Sequence, residues 1–254
     1  FIDGSVFYPM SKDFVLISIV VPVLNEEKNV PDLIREIADA ARFSPITEII
    51  FVDDGSTDQT LSVLKSLKSQ YPMLRVLRHH ERARQSAAMW TGVRAARHNI
   101  VVTMDGDGQN NPADIPNLYA AYQKNIVAHS RLMVAGQRVK RNDTLARRLA
   151  SKFANNLRGA ILRDRTRDTG CSLKMFNRDV YLELPYFNHM HRYLPALMIR
   201  AQAHLIHVDV SHRARQSGVS KYTNLNRALV GVLDLFGVWW LLQRPYTYPP
   251  ISEE

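Results

Sequence analysis

The sequence predicts an α/β fold in which a mainly parallel sheet is flanked by helices. Three observations support this prediction. Short apolar runs rich in valine and isoleucine alternate with segments of helical periodicity, which is the order expected of consecutive βαβ units. The runs are nearly continuous rather than alternating with polar residues, as is typical of strands buried on both faces. Aspartate follows two of the runs directly, and ligands of such sheets bind at the carboxyl ends of strands.

The first half of the chain is predicted to repeat a strand followed by a helix. Runs of β-branched residues indicate strands at residues 17–23, 49–52, 74–77 and 100–104. Apolar residues three or four positions apart predict helices at 27–42 and 85–97. Another helix carries leucines to position 67 and begins near Asp58, whose short polar side chain suits an N-cap. Pro112 suits the first turn of the next helix.

The regular alternation of predicted strands and helices ends in the second half of the chain. We expect a strand at 133–135, a basic helix near 144–161, a helix near 193–201, a strand at 205–210 and a loop over 212–222. The segment 225–242 is almost wholly apolar. Its uninterrupted part is short for a membrane span, which needs about 20 residues.

Composition excludes several classes of protein. Hydrophobic residues make up 46% of the 254 and charged residues 22%, which excludes wholesale disorder. The single cysteine, Cys171, excludes an internal disulfide framework and a four-cysteine zinc site, and favours a reducing compartment. We expect Cys171 to be a small buried residue rather than a nucleophile.

The formal charge of +9 is concentrated in one region of the chain. Residues 131–178 contain thirteen basic and three acidic side chains, a net charge of +10, so that the rest of the chain is close to neutral. Such a region can be a solvated helix face, or it can bind an anionic partner such as nucleic acid, a phosphorylated ligand or a membrane surface.

The first acidic cluster follows the strand at 100–104. Asp105, Asp107 and Gln109 offer hard oxygen ligands that suit Mg²⁺ or Mn²⁺. A calcium EF-hand does not fit, because Asn110 and Pro116 occupy its required glycine and glutamate positions. A polar turn with aspartate caps would have the same sequence.

The second acidic cluster consists of Asp53, Asp54 and Asp58. Three nearby carboxylates repel one another unless they are solvated or given donors, and nucleoside hydroxyls and base N–H groups are such donors. A turn followed by a helix cap is the alternative. Since both clusters follow strands of one parallel sheet, we expect them at the same edge. No G-x-G-x-x-G or P-loop is present, which argues against a dinucleotide or mononucleotide fold of those types.

An ordered set of segments makes a resemblance specific. The chain resembles family 2 glycosyltransferases of GT-A fold, in the branch of dolichol-phosphate mannose synthases and polyprenyl-phosphate glycosyltransferases. The resemblance covers roughly residues 17–242. Its segments are Val20 to Glu26, Val52 to Asp58, Gln85 to Ala88, Met104 to Gln109, Gly136 to Arg138, Asp168 to Cys171, and Arg215 to Tyr222.

This resemblance implies an inverting enzyme that moves a sugar from GDP-mannose or a UDP-sugar to a polyprenyl phosphate, with Mg²⁺ or Mn²⁺ as cofactor. It implies a metal site of Asp105, Asp107 and Gln109. It implies nucleotide and donor contacts from Pro22, Asn25, Glu26, Asp54, Gln85 and Asp105. It implies catalytic roles for Asp107, Asp168 and Arg138, and phosphate or acceptor contacts from Arg138, Arg141, Arg215, Ser220 and Lys221. The chain departs from the family at Glu81-Arg82-Ala83-Arg84, where a glycine-containing turn is common.

The same resemblance favours a membrane surface as the partner of the basic region. Basic residues between 147 and 158 suit anionic headgroups, and aromatic residues from Trp239 to Tyr248 suit an interface. We therefore expect a lead-in over 1–16, a GT-A catalytic domain over 17–222, and an amphipathic interface helix with a tail over 223–254. The expected location is the cytoplasmic face of a membrane, either peripheral or anchored by a segment outside this chain.

Nucleic acid is not expected as a partner, because basic and aromatic residues do not interleave. Two alternatives stay open. One is a glycosyltransferase with a saccharide-hydroxyl acceptor, although its Q-x-x-R-W motif is missing; the other is a non-catalytic lipid-binding module. The sequence does not determine the oligomeric state.

Overall fold

A computed structural model describes residues 15–139, 158–159, 161–162, 164, 166, 168–213 and 224–244. Its seven strands form one sheet in the order β3-β2-β1-β4-β6-β5-β7. The strands are β1 (Ile17–Val23), β2 (Ile46–Asp53), β3 (Leu74–Arg78), β4 (Ile100–Thr103), β5 (Leu132–Arg138), β6 (Lys174–Asn177) and β7 (His204–Val210).

The sheet is mainly parallel, as predicted. Strands β1 to β4 run parallel to their neighbours among themselves, and β5 runs parallel to β7. Strand β6 lies antiparallel between β4 and β5. Strand β6 was not predicted, because its sequence Lys-Met-Phe-Asn contains no β-branched residue and a helix follows at once.

Helices cover both faces of the sheet. They are α1 (Val30–Ala40), α2 (Thr60–Leu67), α3 (Gln85–Ala95), α4 (Ile115–Ile126), α5 (Arg178–Leu182), α6 (Leu194–Arg200) and α7 (Asn224–Leu242). Short 3₁₀ helices precede α4 at Pro112–Asp114 and α6 at Met190–Tyr193. The N-cap of α2 is Gln59 rather than the predicted Asp58, although the Asp58 carboxylate accepts a 3.0 Å bond from the Thr60 N–H.

Two apolar layers sandwich the sheet. Ile19 and Val21 of β1 belong to a buried cluster with α1 and α4, whereas Val20 belongs to the cluster formed with α3 and α6. Successive side chains of a strand point to opposite faces, so a strand that contributes to both clusters must be apolar at nearly every position. This explains the continuous apolar runs in the sequence.

The strand register places both acidic clusters at one edge. Val23 at the end of β1 pairs with Asp53 at the end of β2, and Val20 pairs with Thr103 at the end of β4. Because these strands are parallel, their carboxyl ends coincide, as predicted. We call this side of the sheet the acidic edge, defined by Asp53, Asp54, Asp105 and Asp107.

Several expectations concern residues outside the described part of the chain. Most of the basic helix expected near 144–161 and of the loop over 212–222 falls there. Within the described residues, no helix has the length and apolar character needed to cross a membrane. Helix α7 matches the apolar segment predicted at 225–242, and its placement at a membrane interface stays a prediction.

Candidate active site

Two loops at the acidic edge are joined by side-chain hydrogen bonds. Asn25, in the left-handed region at φ 55°, receives a 2.8 Å bond at its side-chain oxygen from the Thr57 N–H and donates its own N–H to Ser56 at 2.9 Å. The Glu26 N–H donates to the Thr60 hydroxyl at 2.8 Å. The expected nucleotide residues Asn25 and Glu26 therefore fix the loop after β1 against the loop after β2.

Asp54 organises a third loop, which connects β3 to α3. Its carboxylate is buried and accepts 2.8 Å hydrogen bonds from the backbone N–H groups of Ala83 and Arg84. The His79 ring lies 2.8 Å from the same carboxylate and 2.9 Å from the Thr91 hydroxyl. Sequence analysis assigned Asp54 to the nucleotide but missed His79, whose single imidazole carries no recognisable spacing.

The loop that contains Asp105, Asp107 and Gln109 follows β4 and packs on the end of β1. A Cβ atom on Gly106 would lie 2.4 Å from the Val23 side chain and 3.1 Å from the Pro22 carbonyl oxygen, so only glycine allows this close approach. The approach holds Asp105 and Asp107, on either side of Gly106, beside Pro22. In the same loop, Asp107 accepts a 3.1 Å bond from the Gln109 N–H.

Asp105 is a partly buried carboxylate that is exposed to the negative charge of Asp107. Burial, with a further contribution from the charge of Asp107, raises the pKa of Asp105 to about 6. The Gln85 amide donates to its Oδ1 at 2.8 Å. Charge repulsion between two carboxylates is the condition that a divalent cation relieves, so the residues present fit Mg²⁺ or Mn²⁺.

The protein ligand set is small. No group of three His, Cys, Asp or Glu side chains suited to a metal occurs within the described ranges. Asp105, Asp107 and the Gln109 amide would leave coordination positions for water or phosphate oxygens, as is usual for Mg²⁺ at phosphate sites.

Arg138 and Asp168 form a bidentate ion pair. The Arg138 guanidinium donates through Nε and, at 2.8 Å, through a terminal nitrogen to the two Asp168 oxygens. The Asp168 N–H is held by the Gln137 side chain at 2.9 Å. The hydrogen bonding of its guanidinium to the Asp168 carboxylate raises the pKa of Arg138. The structure thus brings these two predicted residues together as one unit.

A buried cation lies close to this unit and was not predicted. Lys174 of β6 is buried and donates its ammonium to the Cys171 carbonyl. Burial lowers the pKa of Lys174, against the favourable charges of Asp105 and Asp168. Its burial could not be predicted, because one lysine in a basic region is indistinguishable in sequence from a solvated one. Cys171 itself is buried, as predicted.

Four expected phosphate or acceptor residues, Arg141, Arg215, Ser220 and Lys221, lie outside the described residues. The chain leading toward the last three is anchored at the acidic edge. The Arg213 N–H donates to the Gln109 carbonyl at 3.1 Å, and its guanidinium binds both oxygens of Glu36 at 2.8 and 2.7 Å.

The described site therefore combines the four carboxylates of the acidic edge with the Arg138–Asp168 pair and the buried Lys174. Asp54 and Asp105 are linked through consecutive residues, since Arg84 binds the first and Gln85 the second. Such an arrangement can bind a polar ligand along the edge and a cation at Asp105 and Asp107.

Comparison with known proteins identifies related sequences. The family model "Glycosyl transferase family 2" matches residues 18–184. Dodecaprenyl-phosphate galacturonate synthase from Rhizobium johnstonii is 34% identical over 231 residues, covering 89% of this chain and 67% of that protein. Undecaprenyl-phosphate 4-deoxy-4-formamido-L-arabinose transferase from Pectobacterium carotovorum is 33% identical, covering 85% and 65%. The chain thus spans about two thirds of the length of these relatives.

Solved structures share the fold at low identity. Glucosyl-3-phosphoglycerate synthase from Mycobacterium tuberculosis, in complex with Mn²⁺, UDP and glucosyl-3-phosphoglycerate, is 18% identical with a TM-score of 0.66, covering 90% of this chain and 80% of that one. Mannosyl-3-phosphoglycerate synthase from Rubrobacter xylanophilus is 16% identical with a TM-score of 0.66, covering 94% and 79%. The expected GT-A fold is confirmed.

Proposed function

The chain belongs to glycosyl transferase family 2, and on that premise we propose that it transfers a sugar from a nucleotide-sugar donor to a polyprenyl phosphate. The relatives named above are transferases or synthases of polyprenyl-phosphate sugars. GDP-mannose or a UDP-sugar is the proposed donor class. We assign catalysis to residues 17–222.

The observation that carries this proposal is the link between the two acidic clusters. Asp54 holds the backbone of Arg84, and the next residue, Gln85, binds Asp105. One end of this edge suits the hydroxyl and N–H donors of a nucleoside, and the other suits a divalent cation. A nucleoside diphosphate has both features within one molecule. Pro22, Asn25 and Glu26 would line the nucleoside end.

Asp105, Asp107 and Gln109 would hold Mg²⁺ or Mn²⁺. The cation would supply charge neutralisation for the departing diphosphate. Two of the solved neighbours were crystallised with Mn²⁺ or Mg²⁺ together with UDP, which supports a metal of this class. Gln85 orients Asp105 by its 2.8 Å hydrogen bond.

The acceptor phosphate would attack the anomeric carbon while the bond to the nucleoside diphosphate breaks, which inverts the configuration in a single displacement. A phosphate monoester has a second pKa near 6 and is largely a dianion at neutrality. The reaction therefore needs no strong general base. Arg138, held by Asp168, is the described residue best suited to bind this phosphate, and Arg141, Arg215, Ser220 and Lys221 complete the proposed acceptor set.

A membrane surface is the proposed setting, with residues 223–254 as the interface segment. Helix α7 exposes apolar side chains at Leu233, Phe236, Trp239 and Trp240. A cavity of about 390 Å³ is lined by Leu233 and Trp240 of this helix and by Phe187. Rings and aliphatic side chains of this kind suit the boundary between headgroups and acyl chains.

Helix α7 is attached to the catalytic body by polar contacts. Asp234 lies 3.0 Å from the His189 ring, the Tyr193 hydroxyl donates to the Gly231 carbonyl at 2.9 Å, and Arg200 donates to the Leu241 carbonyl at 3.0 Å. These contacts support a helix that would hold the acidic edge at a fixed orientation to a membrane.

A panel of radiolabelled nucleotide sugars tests the proposal, with and without polyprenyl phosphate and Mn²⁺. We expect one donor to give a lipid-soluble product only when both are present. Transfer without lipid would favour a saccharide acceptor, and binding without transfer from any donor would favour a non-catalytic module; either result would overturn the proposal.

A further inference from the structure

Arg84 has a backbone conformation that side chains rarely adopt. Its φ of 75° and ψ of 167° lie in a region populated essentially by glycine alone. The residue belongs to the segment where the resembled family commonly has a glycine-containing turn. A bulky residue in such a position is costly, and it persists only where the surrounding structure imposes the conformation.

Asp54 is the main source of that constraint. Its two carboxylate oxygens accept 2.8 Å hydrogen bonds from the N–H groups of Ala83 and Arg84. The His79 ring binds the same carboxylate, and the His79 N–H donates to the Asp53 carbonyl at 2.9 Å. Hydrogen bonds therefore fix the loop at its beginning, through His79, and at its end, through Ala83 and Arg84.

Close packing adds a second constraint. A Cβ atom on Gly55 would lie 3.1 Å from the Arg82 nitrogen and 3.2 Å from the Glu81 carbonyl carbon. The turn after β2 thus presses on the backbone of the loop. The fold determines the path of the chain through residue 84 whichever side chain is there, and glycine would be the residue of least strain.

The Arg84 side chain makes no described contact that would stabilise the fold. It is exposed, and within the described residues no hydrogen bond, ion pair or ring contact holds its guanidinium. Arg138, by contrast, is already paired with Asp168. Arg84 therefore carries an unpaired cation on the residue whose N–H binds Asp54, next in sequence to Gln85, which binds Asp105.

We propose that Arg84 is a donor-binding residue whose guanidinium pairs with an anionic group of the nucleotide sugar. This inference rests on the proposed function. The acidic edge repels an anionic donor, so a cation within reach of the bound molecule strengthens binding. Two sources of the anion have the same chemistry, the diphosphate and a carboxylate on the sugar, and a guanidinium can bind either through two parallel hydrogen bonds.

Binding measurements on the full chain test this inference without requiring turnover. Calorimetry would compare the wild type with Arg84→Gly, Arg84→Ala and Arg84→Lys, using UDP and GDP and then matched donors with neutral and carboxylate sugars. Arg94→Ala is the matched control, because it removes an exposed arginine from the other end of the same helix. Thermal melting would monitor the fold.

We expect Arg84→Gly to melt at the wild-type temperature or above, since it relieves the backbone, and to bind about tenfold more weakly, as loss of a charge-assisted hydrogen bond implies. The affinity of Arg84→Lys should lie between those of the wild type and Arg84→Gly, and Arg94→Ala should bind with the wild-type affinity. An equal loss of affinity for UDP and for every donor would identify the diphosphate as the group that pairs with Arg84. A loss of affinity confined to donors with carboxylate sugars would identify the sugar carboxylate instead.

Normal affinity of both Arg84→Gly and Arg84→Ala for every ligand would overturn the inference and leave the proposed function intact. If the wild type bound no nucleotide or nucleotide sugar, the proposed function would fail and this inference with it. Arg84→Ala keeps the test valid should the glycine variant not fold.

Discussion

At the scale of single residues, the side chains of the site are positioned by hydrogen bonds and ion pairs with one another. Asp54 fixes the loop that contains Arg84, Gln85 orients Asp105, and Asp168 holds Arg138. Asp54 and Asp105 were predicted because they follow buried strands of a parallel sheet, whereas Asp168 was implied only by the family resemblance. His79 and Lys174 were missed, because their contacts depend on the three-dimensional approach of distant segments.

Asp107→Ala tests the metal assignment. We expect transfer to fall about a hundredfold or more, since a divalent cation at a departing diphosphate contributes several kcal/mol to the transition state. The rate would be measured over a titration of Mn²⁺. Asp39→Ala is the control, because Asp39 is exposed on α1 and pairs only with nearby Arg42 at 3.5 Å among the ion pairs described. Near-normal turnover of Asp107→Ala would refute the assignment.

Asp168→Asn tests whether Asp168 positions Arg138. The amide keeps the shape but leaves a largely buried guanidinium without its counter-charge, which costs about 3 kcal/mol of unfolding free energy. We expect denaturant unfolding to show this loss and the KM for polyprenyl phosphate to rise, with the donor KM nearly unchanged.

Glu183→Gln is the matched control for that experiment. Glu183 also pairs with an arginine, Arg131, but both side chains are partly exposed, and such pairs contribute about 0–1 kcal/mol. A stability loss for Asp168→Asn no larger than that of Glu183→Gln, with an unchanged acceptor KM, would show that the pair does not position Arg138.

At the scale of elements, the strands were predictable and their order was not. Continuous apolar runs identified β1 to β4, because strands covered on both faces have no polar side. The insertion of β6 between β4 and β5 could not be predicted, since an antiparallel return of four residues depends on where the second half of the chain folds back. The loop of Arg84 likewise depends on contacts from β2.

The opposite edge of the sheet contains a buried carboxylate that links several elements. Glu48 of β2 accepts hydrogen bonds from the Ser18 hydroxyl at 2.5 Å, from the Arg97 N–H at 2.9 Å and from the Arg75 guanidinium. Arg75 also donates to the Ala95 carbonyl at the end of α3, at 2.8 Å. This cluster joins three strands and the helix whose other end contacts the site.

The Glu48 cluster predicts a pH dependence of stability. Burial alone would raise the pKa of Glu48, but the hydrogen bonds from Arg97, Ser18 and Arg75 outweigh it and lower the pKa below 4.5. A carboxyl with a lowered folded-state pKa stabilises the fold above its unfolded pKa, and that contribution is lost as the pH falls through the folded value. We therefore expect stability to decline below about pH 4.5.

Glu48→Gln should be less stable than the wild type at pH 7 by about 3 kcal/mol, because it leaves the Arg75 guanidinium without its counter-charge. Its stability should also decline less on acidification. Urea unfolding at several pH values would measure both effects, with exposed Asp32→Asn as the control. Parallel pH profiles for wild type and Glu48→Gln would contradict this account.

At the scale of the whole molecule, one body carries both the acidic edge and the apolar helix α7. The charge of the described edge is negative although the chain as a whole is basic, because the basic region over 131–178 carries the excess. A dianionic lipid and an anionic donor therefore need cations at the site itself, from the metal and from individual arginines. Helix α7 supplies the proposed contact with the membrane.

The double variant Phe236→Ser with Trp239→Ser tests this contact. Both side chains are exposed, by 58% and 44%, so the fold should be unaffected. We expect binding to vesicles of anionic lipid to weaken about tenfold or more, since each buried aromatic ring contributes about 1.5–3 kcal/mol. Phe43→Ser, which removes an aromatic side chain that is 74% exposed elsewhere on the body, should bind normally. Equal vesicle binding by all three proteins would exclude α7 as the interface.

The requirement for a phosphate on the acceptor is tested by comparing two acceptors that differ in that one group. Polyprenyl phosphate and the free polyprenol of the same length would be offered to the wild type with its preferred nucleotide sugar and Mn²⁺. We expect labelled sugar to enter the lipid fraction only with the phosphate, because the phosphate dianion reacts without a general base. Comparable transfer to the alcohol would contradict this expectation.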